Sequence, residues 1–211
     1  GTTLNDIKEE FDNKVSCMID GGDTLIGVES TVIRVMDNKI RILRPGKITI
    51  DDFKFYGFEV ELDNNIFKEV SKNDRVLSPG MKYRHYAPNA KVTIISGDNE
   101  KVVNKINELI SSNKDKKIGL LITKENELKF KNCEKIVIGS KKNLNEVAHN
   151  LFEALRSFDD KKVDIVYAEA FEEKGIGIAI MNRLKKAAGY DRTDRAWEMP
   201  DERNIWTCAG I

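Results

Sequence analysis

From residue 91 onward, β-branched runs alternate with one-sided apolar stripes, and this rhythm limits the possible folds more than any other feature of the chain. Residues 91–96 read as a strand, followed by a helix over 98–112 with Val102, Val103, Ile106, Leu109 and Ile110 on one face. Strands follow at 117–122 and 135–138. A second amphipathic helix over 143–158 carries Leu144, Val147, Ala148, Leu151, Leu155 and Phe158 in one stripe. A strand at 163–168 and a helix at 177–188 close the series. Strands joined through helices pack as a parallel sheet with helices on its faces. The expected class is α/β, with roughly four or five parallel strands over residues 90–190.

The preceding residues follow a different pattern. Residues 4–14 read as the end of an amphipathic helix and 16–19 as a short strand closed by Gly21-Gly22. Residues 30–35 and 40–43 flank Asp37-Asn38, which predicts a hairpin. Thr49 is placed to cap a short helix ending at Phe55, with Asp51 and Asp52 near its positive end. Residues 61–75 are polar and lead into Ser78-Pro79-Gly80-Met81-Lys82-Tyr83-Arg84-His85-Tyr86-Ala87-Pro88, whose prolines and glycine favour an extended path. Residues 61–89 therefore read as an interdomain connection.

Composition removes several function classes. Of 211 residues, 33 % are charged and 40 % hydrophobic, a globular balance and not a disordered one. Lys+Arg and Asp+Glu are each 35, and this zero net charge opposes a protein that grips nucleic acid mainly by its phosphates. Cys17, Cys133 and Cys208 are far apart, with no metal-ligand or redox spacing. That points to a reducing, cytoplasmic setting, with Cys17 as a small buried hydrophobe. No apolar run has the length of a membrane span.

The densest polar group lies in the connection. In an extended chain, Lys82, Arg84 and Tyr86 share one side, and Tyr83 and His85 the other. Lys and Arg suit phosphate oxygens, while Tyr and His stack on a base or donate hydrogen bonds. A solvated linker with packed aromatics is the competing reading. A second candidate is Gly27-Val28-Glu29-Ser30-Thr31-Val32, where a glycine admits close backbone approach and a hydroxyl can bind an oxyanion. An ordinary strand start explains the same residues. Arg44, before Pro45-Gly46, either meets phosphate or sits exposed at a strand end. His149 reads as a half-exposed helix residue, and the loop 172–177 follows the carboxyl end of a strand without a phosphate-loop pattern.

The segments GVESTV at 27–32, LRPG at 43–46, SPGMKYRHYAP at 78–88 and IAIMNRLKKAAG at 178–189 resemble the two-domain, YrdC-like threonylcarbamoyl-AMP synthases. The resemblance implies a nucleotidyltransferase that makes threonylcarbamoyl-AMP and pyrophosphate from ATP, L-threonine and bicarbonate. It uses ATP as a substrate, with magnesium entering on the ATP. A downstream threonylcarbamoyl transferase complex then modifies an adenosine beside the tRNA anticodon, so contact with tRNA is indirect. By the same resemblance Ser30 binds threonine, and Arg44 with Tyr86 or Tyr83 contacts the nucleotide. Lys82, Arg84 and His85 belong to a lid over the cleft. No protein metal ligands are implied.

The resemblance also implies an architecture. Residues 1–60 are expected to be the carboxy-terminal part of a YrdC-like catalytic domain, 61–89 the lid linker, and 90–190 a Rossmann-like second domain. The family's Lys-x-Arg segment and its Ser/Asn-rich nucleotide loop would precede Thr2, so the chain is expected to be inactive alone. Residues 191–211 match nothing in the family and stay unassigned. The rival readings are a non-catalytic nucleotide-binding or regulatory module and an RNA-binding module.

Overall fold

The computed structural model describes residues 2–67 and 87–189. The first elements are α1 (Leu4–Phe11), β1 (Val32–Met36), β2 (Lys39–Arg44), α2 (Ile50–Phe55) and β3 (Glu59–Leu62). The hairpin expected around Asp37-Asn38 forms: β1 and β2 pair antiparallel, with Val35 opposite Ile40 and Met36 opposite Lys39. Asp37 takes a positive φ of 46° at the turn, which Asp tolerates better than most residues. β3 then returns parallel to β2 through α2, completing a three-stranded sheet in the order β1-β2-β3.

Thr49 caps α2 as expected. Its hydroxyl accepts from the Asp52 backbone, and the Asp52 carboxylate accepts from the Thr49 backbone at 2.7 Å. Thr49→Ala removes one half of this reciprocal pair and is expected to cost about 1 kcal/mol in urea denaturation. An unchanged midpoint would show that α2 is held by packing alone.

Two sequence expectations fail in this part. Residues 16–19 form no strand, and Cys17 is exposed, not buried. A short apolar run becomes a strand only beside a pairing partner, and among the described residues none lies there. Ile19 and Leu25 accordingly stand 91 % and 89 % exposed. The polar stretch beginning at residue 61 starts inside β3 and continues into a short 3-10 turn, Asn64–Ile66, whose Ile66 is buried against Ile40 and Ile42.

The second part holds β4 (Lys91–Ile95), α3 (Asn99–Ser112), β5 (Ile118–Thr123), β6 (Glu134–Gly139), α4 (Leu144–Asp160), β7 (Ile165–Glu169) and α5 (Gly177–Ala187). The four strands lie in the order β4-β7-β5-β6, and every pair is parallel. β5 is buried at all of its positions, as a central strand covered on both faces should be. Side-chain alternation splits the core in two. Val92, Ile94, Leu121, Val166 and Ala168 face α4 and α5, while Ile95, Leu120, Ile122 and Tyr167 face α3. A 3-10 helix at Lys124–Lys129, for which the sequence offered no periodic signal, follows β5.

Candidate functional site

Two of the sequence candidates meet. Arg44, at the end of β2, donates from Nε to the Ser30 carbonyl at 3.0 Å and from Nη2 to Ser30 Oγ at 3.0 Å. The guanidinium fork thus grips one residue by its backbone and its hydroxyl together. Close backbone contact makes this possible. A Cβ on Gly46 would stand 2.3 Å from the Glu29 carbonyl oxygen and 2.4 Å from the Thr31 nitrogen, so only glycine lets the segments 29–31 and 44–46 lie this near. Thr31 Oγ1 donates to the Ile48 carbonyl at 2.7 Å and fixes the far end of the segment.

The near end of the segment rests on α4. A Cβ on Gly27 would stand 2.1 Å from the His149 carbonyl oxygen, and Val28 packs into the core that α4 lines. His149 is exposed, and its Nδ1 lies 3.2 Å from the Leu25 carbonyl. Lys47 Nζ donates to Asn145 Oδ1 at 2.7 Å. Arg156 pairs with Asp6 at 3.3 Å and also with Glu9.

α5 stands behind Glu29. Arg183, only 4 % exposed, places Nη1 3.1 Å from Glu29 Oε1. Lys186 is also buried. Burial pushes its ammonium down to about 8, with Glu29 opposing the shift and Arg183 and Arg44 adding to it. Arg44, Arg183 and Lys186 therefore share one electrostatic neighbourhood with Glu29. Cationic side chains gathered beside a hydroxyl suit an anionic ligand group such as a carboxylate or phosphate.

Sequence reasoning missed Arg183, Lys186 and the role of Glu29. The available signal was the i,i+3 spacing of Arg183 and Lys186, which puts two cations on one helical face. Tyr83, Tyr86, Lys82, Arg84 and His85 lie outside the described residues. The loop 172–177 is tied back by Lys185 Nζ to Glu173 Oε1 at 2.6 Å. An open depression of about 590 Å³ lies elsewhere, between Lys39, Arg41, Glu59 and Glu61. Its charges neutralise one another through Lys39–Glu61 and Arg41–Glu61 pairs. Among the described residues, no group of His, Cys, Asp and Glu converges as metal ligands would, and no helix is long and apolar enough to cross a membrane.

A family model described as threonylcarbamoyl-AMP synthase, C-terminal domain, matches residues 48–189. This chain belongs to the threonylcarbamoyl-AMP synthase family. A second family model, described as telomere recombination, matches residues 1–46, the part that carries Ser30 and Arg44. Threonylcarbamoyl-AMP synthase of Pyrococcus abyssi is 41 % identical over 192 residues, covering 90 % of this chain and 54 % of the relative. The Bacillus subtilis threonylcarbamoyl-AMP synthase is 38 % identical over 188 residues, covering 89 % and 53 %. The chain thus spans about half the length of these relatives. Among solved structures, P. abyssi Sua5 complexed with L-threonine superimposes with a TM-score of 0.79 at 40 % identity, over 90 % of this chain and 54 % of that one. A variant of P. abyssi Sua5 with a consecutive His and Tyr both changed to Ala gives 0.78 at 39 % identity, over 90 % and 53 %.

Proposed function

We propose that this chain supplies one wall of the substrate cleft, and the parallel-sheet part, of an enzyme that makes threonylcarbamoyl-AMP and pyrophosphate from ATP, L-threonine and bicarbonate. The observation that carries the reading is the Arg44 fork on Ser30, set among Arg183 and Lys186. Ser30, positioned by that fork, takes the threonine carboxylate. Arg44 meets the adenylate phosphate, where a guanidinium stabilises charge on the transferring group. Magnesium arrives on the ATP phosphates. The bound L-threonine in the P. abyssi relative supports this assignment.

Tyr83 or Tyr86 reaches the nucleotide, and Lys82, Arg84 and His85 complete a lid on the linker between the two parts. The P. abyssi relative has a consecutive His-Tyr pair that was changed to Ala, and His precedes Tyr in this sequence only at His85-Tyr86. The product is a mixed carbonic anhydride that water destroys, and a lid that dries the cleft protects it. A threonylcarbamoyl transferase complex then moves the group to tRNA. The setting is the cytoplasm, in keeping with the free thiols of Cys17 and Cys133.

Arg44→Ala decides the reading. In a chain extended to the length of the relatives, it should weaken ATP binding about tenfold or more and slow pyrophosphate release, because charge-assisted phosphate contacts are the strong ones. Arg44→Lys should restore binding only in part, since an ammonium cannot fork. Wild-type affinity in the alanine variant would reduce Arg44 to a brace for Ser30. ATP binding without pyrophosphate release from the wild type would favour a nucleotide-binding regulatory module.

A further inference from the structure

Ser30 and Arg44 are held by residues from both parts of the chain, and the parallel-sheet part contributes the least expected one. All 11 residues of α5 are buried, Arg183 and Lys186 among them. Arginine in such a place is rare unless it is paired. A buried ion pair adds little net stability, because desolvation offsets most of the attraction. Its best-attested use is to fix the register of one element against another.

We infer that α5 is the positioning element of the substrate wall, and that Arg183 acts through Glu29 to hold Ser30 in place. The inference rests on the assignment of Ser30 and Arg44 to substrate. Among the described residues, contacts beyond Arg44 and the packing of Val28 also hold the segment 27–31. Gly27 is seated on the His149 backbone, Thr31 is tied to Ile48, and between them Glu29 reaches Arg183 at 3.1 Å. Glu29 is the residue next to Ser30, so its side chain sets the orientation at the middle of the segment.

α5 has the rigidity this role needs. Ile180, Met181, Leu184 and Ala187 are in the core of the parallel sheet, while Ile178 packs with Ile40, Ile42 and Ile66 of the other part. Asn182, beside Arg183, donates from Nδ2 to the Ile66 carbonyl at 2.7 Å. One helix is thus pinned into both cores and reaches the substrate wall with its charged face. The parallel-sheet part then acts as the inner layer of the cleft, and a shift of α5 is transmitted to Ser30 through the Glu29–Arg183 ion pair.

Backbone 15N relaxation on the 211-residue chain tests this. In the wild type, the amides of Glu29, Ser30 and Thr31 should be as ordered as those of Leu120–Ile122. In Arg183→Met, which keeps the volume and removes the charge, order parameters at 29–31 should fall from about 0.85 to about 0.6 or below. Residues 120–122 should stay at the wild-type value. Glu29→Gln should reproduce the effect, and Arg183→Lys should restore part of the order. Glu29 is 26 % exposed at its side chain, so its variant keeps the test valid if Arg183→Met does not fold. Unchanged order at 29–31 in both variants would overturn the inference, and so would an equal loss at 29–31 and 120–122. A separate titration with L-threonine tests the substrate assignment. A wild type that binds none, with the local loosening still present, would remove threonine from the wall and leave the positioning role standing.

Discussion

Gly46→Ala is expected to destabilise the chain by about 3 kcal/mol and to abolish binding at the proposed Ser30–Arg44 site, although it adds a single methyl group. The size follows from what the methyl would meet. Its nearest neighbours would be the Glu29 carbonyl oxygen, the Thr31 nitrogen and the Ser30 carbonyl carbon, at 2.3, 2.4 and 2.7 Å. All are backbone atoms, so no rotamer change relieves the overlap and the two segments must separate. Arg44 lies two residues before Gly46, and its fork closes on Ser30 across this same gap. Separation therefore breaks the fork together with the packing. Gly21→Ala is the control, since a Cβ there meets nothing within 4 Å. Urea denaturation should show a large loss for the first variant and almost none for the second. Threonine or nucleotide titration should lose its signal only for the first. Equal stability of the two variants would mean that the segments are not in contact in solution.

The parallel sheet was legible because its signal is local. The α4 stripe of Val147, Ala148, Leu151, Leu155 and Phe158 is buried as its spacing predicts, and the strands fall within a residue or two of the β-branched runs. β3 was hidden because its sequence, Glu-Val-Glu-Leu, alternates charge with apolar residues inside a polar stretch. Its carboxylates are matched by Lys39 and Arg41 on β2, a pairing between elements that no local pattern contains. The segment 16–19 misled for the opposite reason: it has strand composition and, among the described residues, no strand beside it.

The site divides along the same line. Ser30 and Arg44 could be singled out because a hydroxyl at a strand start and a guanidinium at a strand end can bind anions, while an ordinary strand start and an exposed strand end explain the same residues equally. The family resemblance then gave them roles. Arg183 and Lys186 look in sequence like the solvent face of an amphipathic helix. Only the packing of α5 between two cores turns that face inward, toward Glu29. A polar face and a buried polar face have the same periodicity, so burial had to come from tertiary structure.

Lys186 gives that inward-turned face a measurable signature. Its ammonium is lowered from the ordinary lysine value of 10.5 to about 8, chiefly by burial. Glu29 holds the charged form, while Arg183 and Arg44 disfavour it further. Between those two values the unfolded chain binds more protons at this residue than the folded chain does. Stability contributed by Lys186 must therefore rise with pH across the window, the reverse of a lysine held in a surface ion pair. Lys39, raised by hydrogen bonds to Glu61 and Glu59, is such a lysine, so the overall pH curve mixes both signs. Comparison with Lys186→Met isolates the one group. Urea denaturation at pH 7.5 and 9.5 should show the wild type gaining about 2 kcal/mol relative to the variant. Ligand binding should move the other way. As Lys186 loses its proton above about 8, the wall loses a positive charge, and the affinity for a carboxylate or phosphate should fall in the wild type more than in Lys186→Met. A stability difference independent of pH between 7.5 and 9.5 would place Lys186 in water. The cationic wall behind Ser30 would then have to be drawn with Arg44 and Arg183 alone.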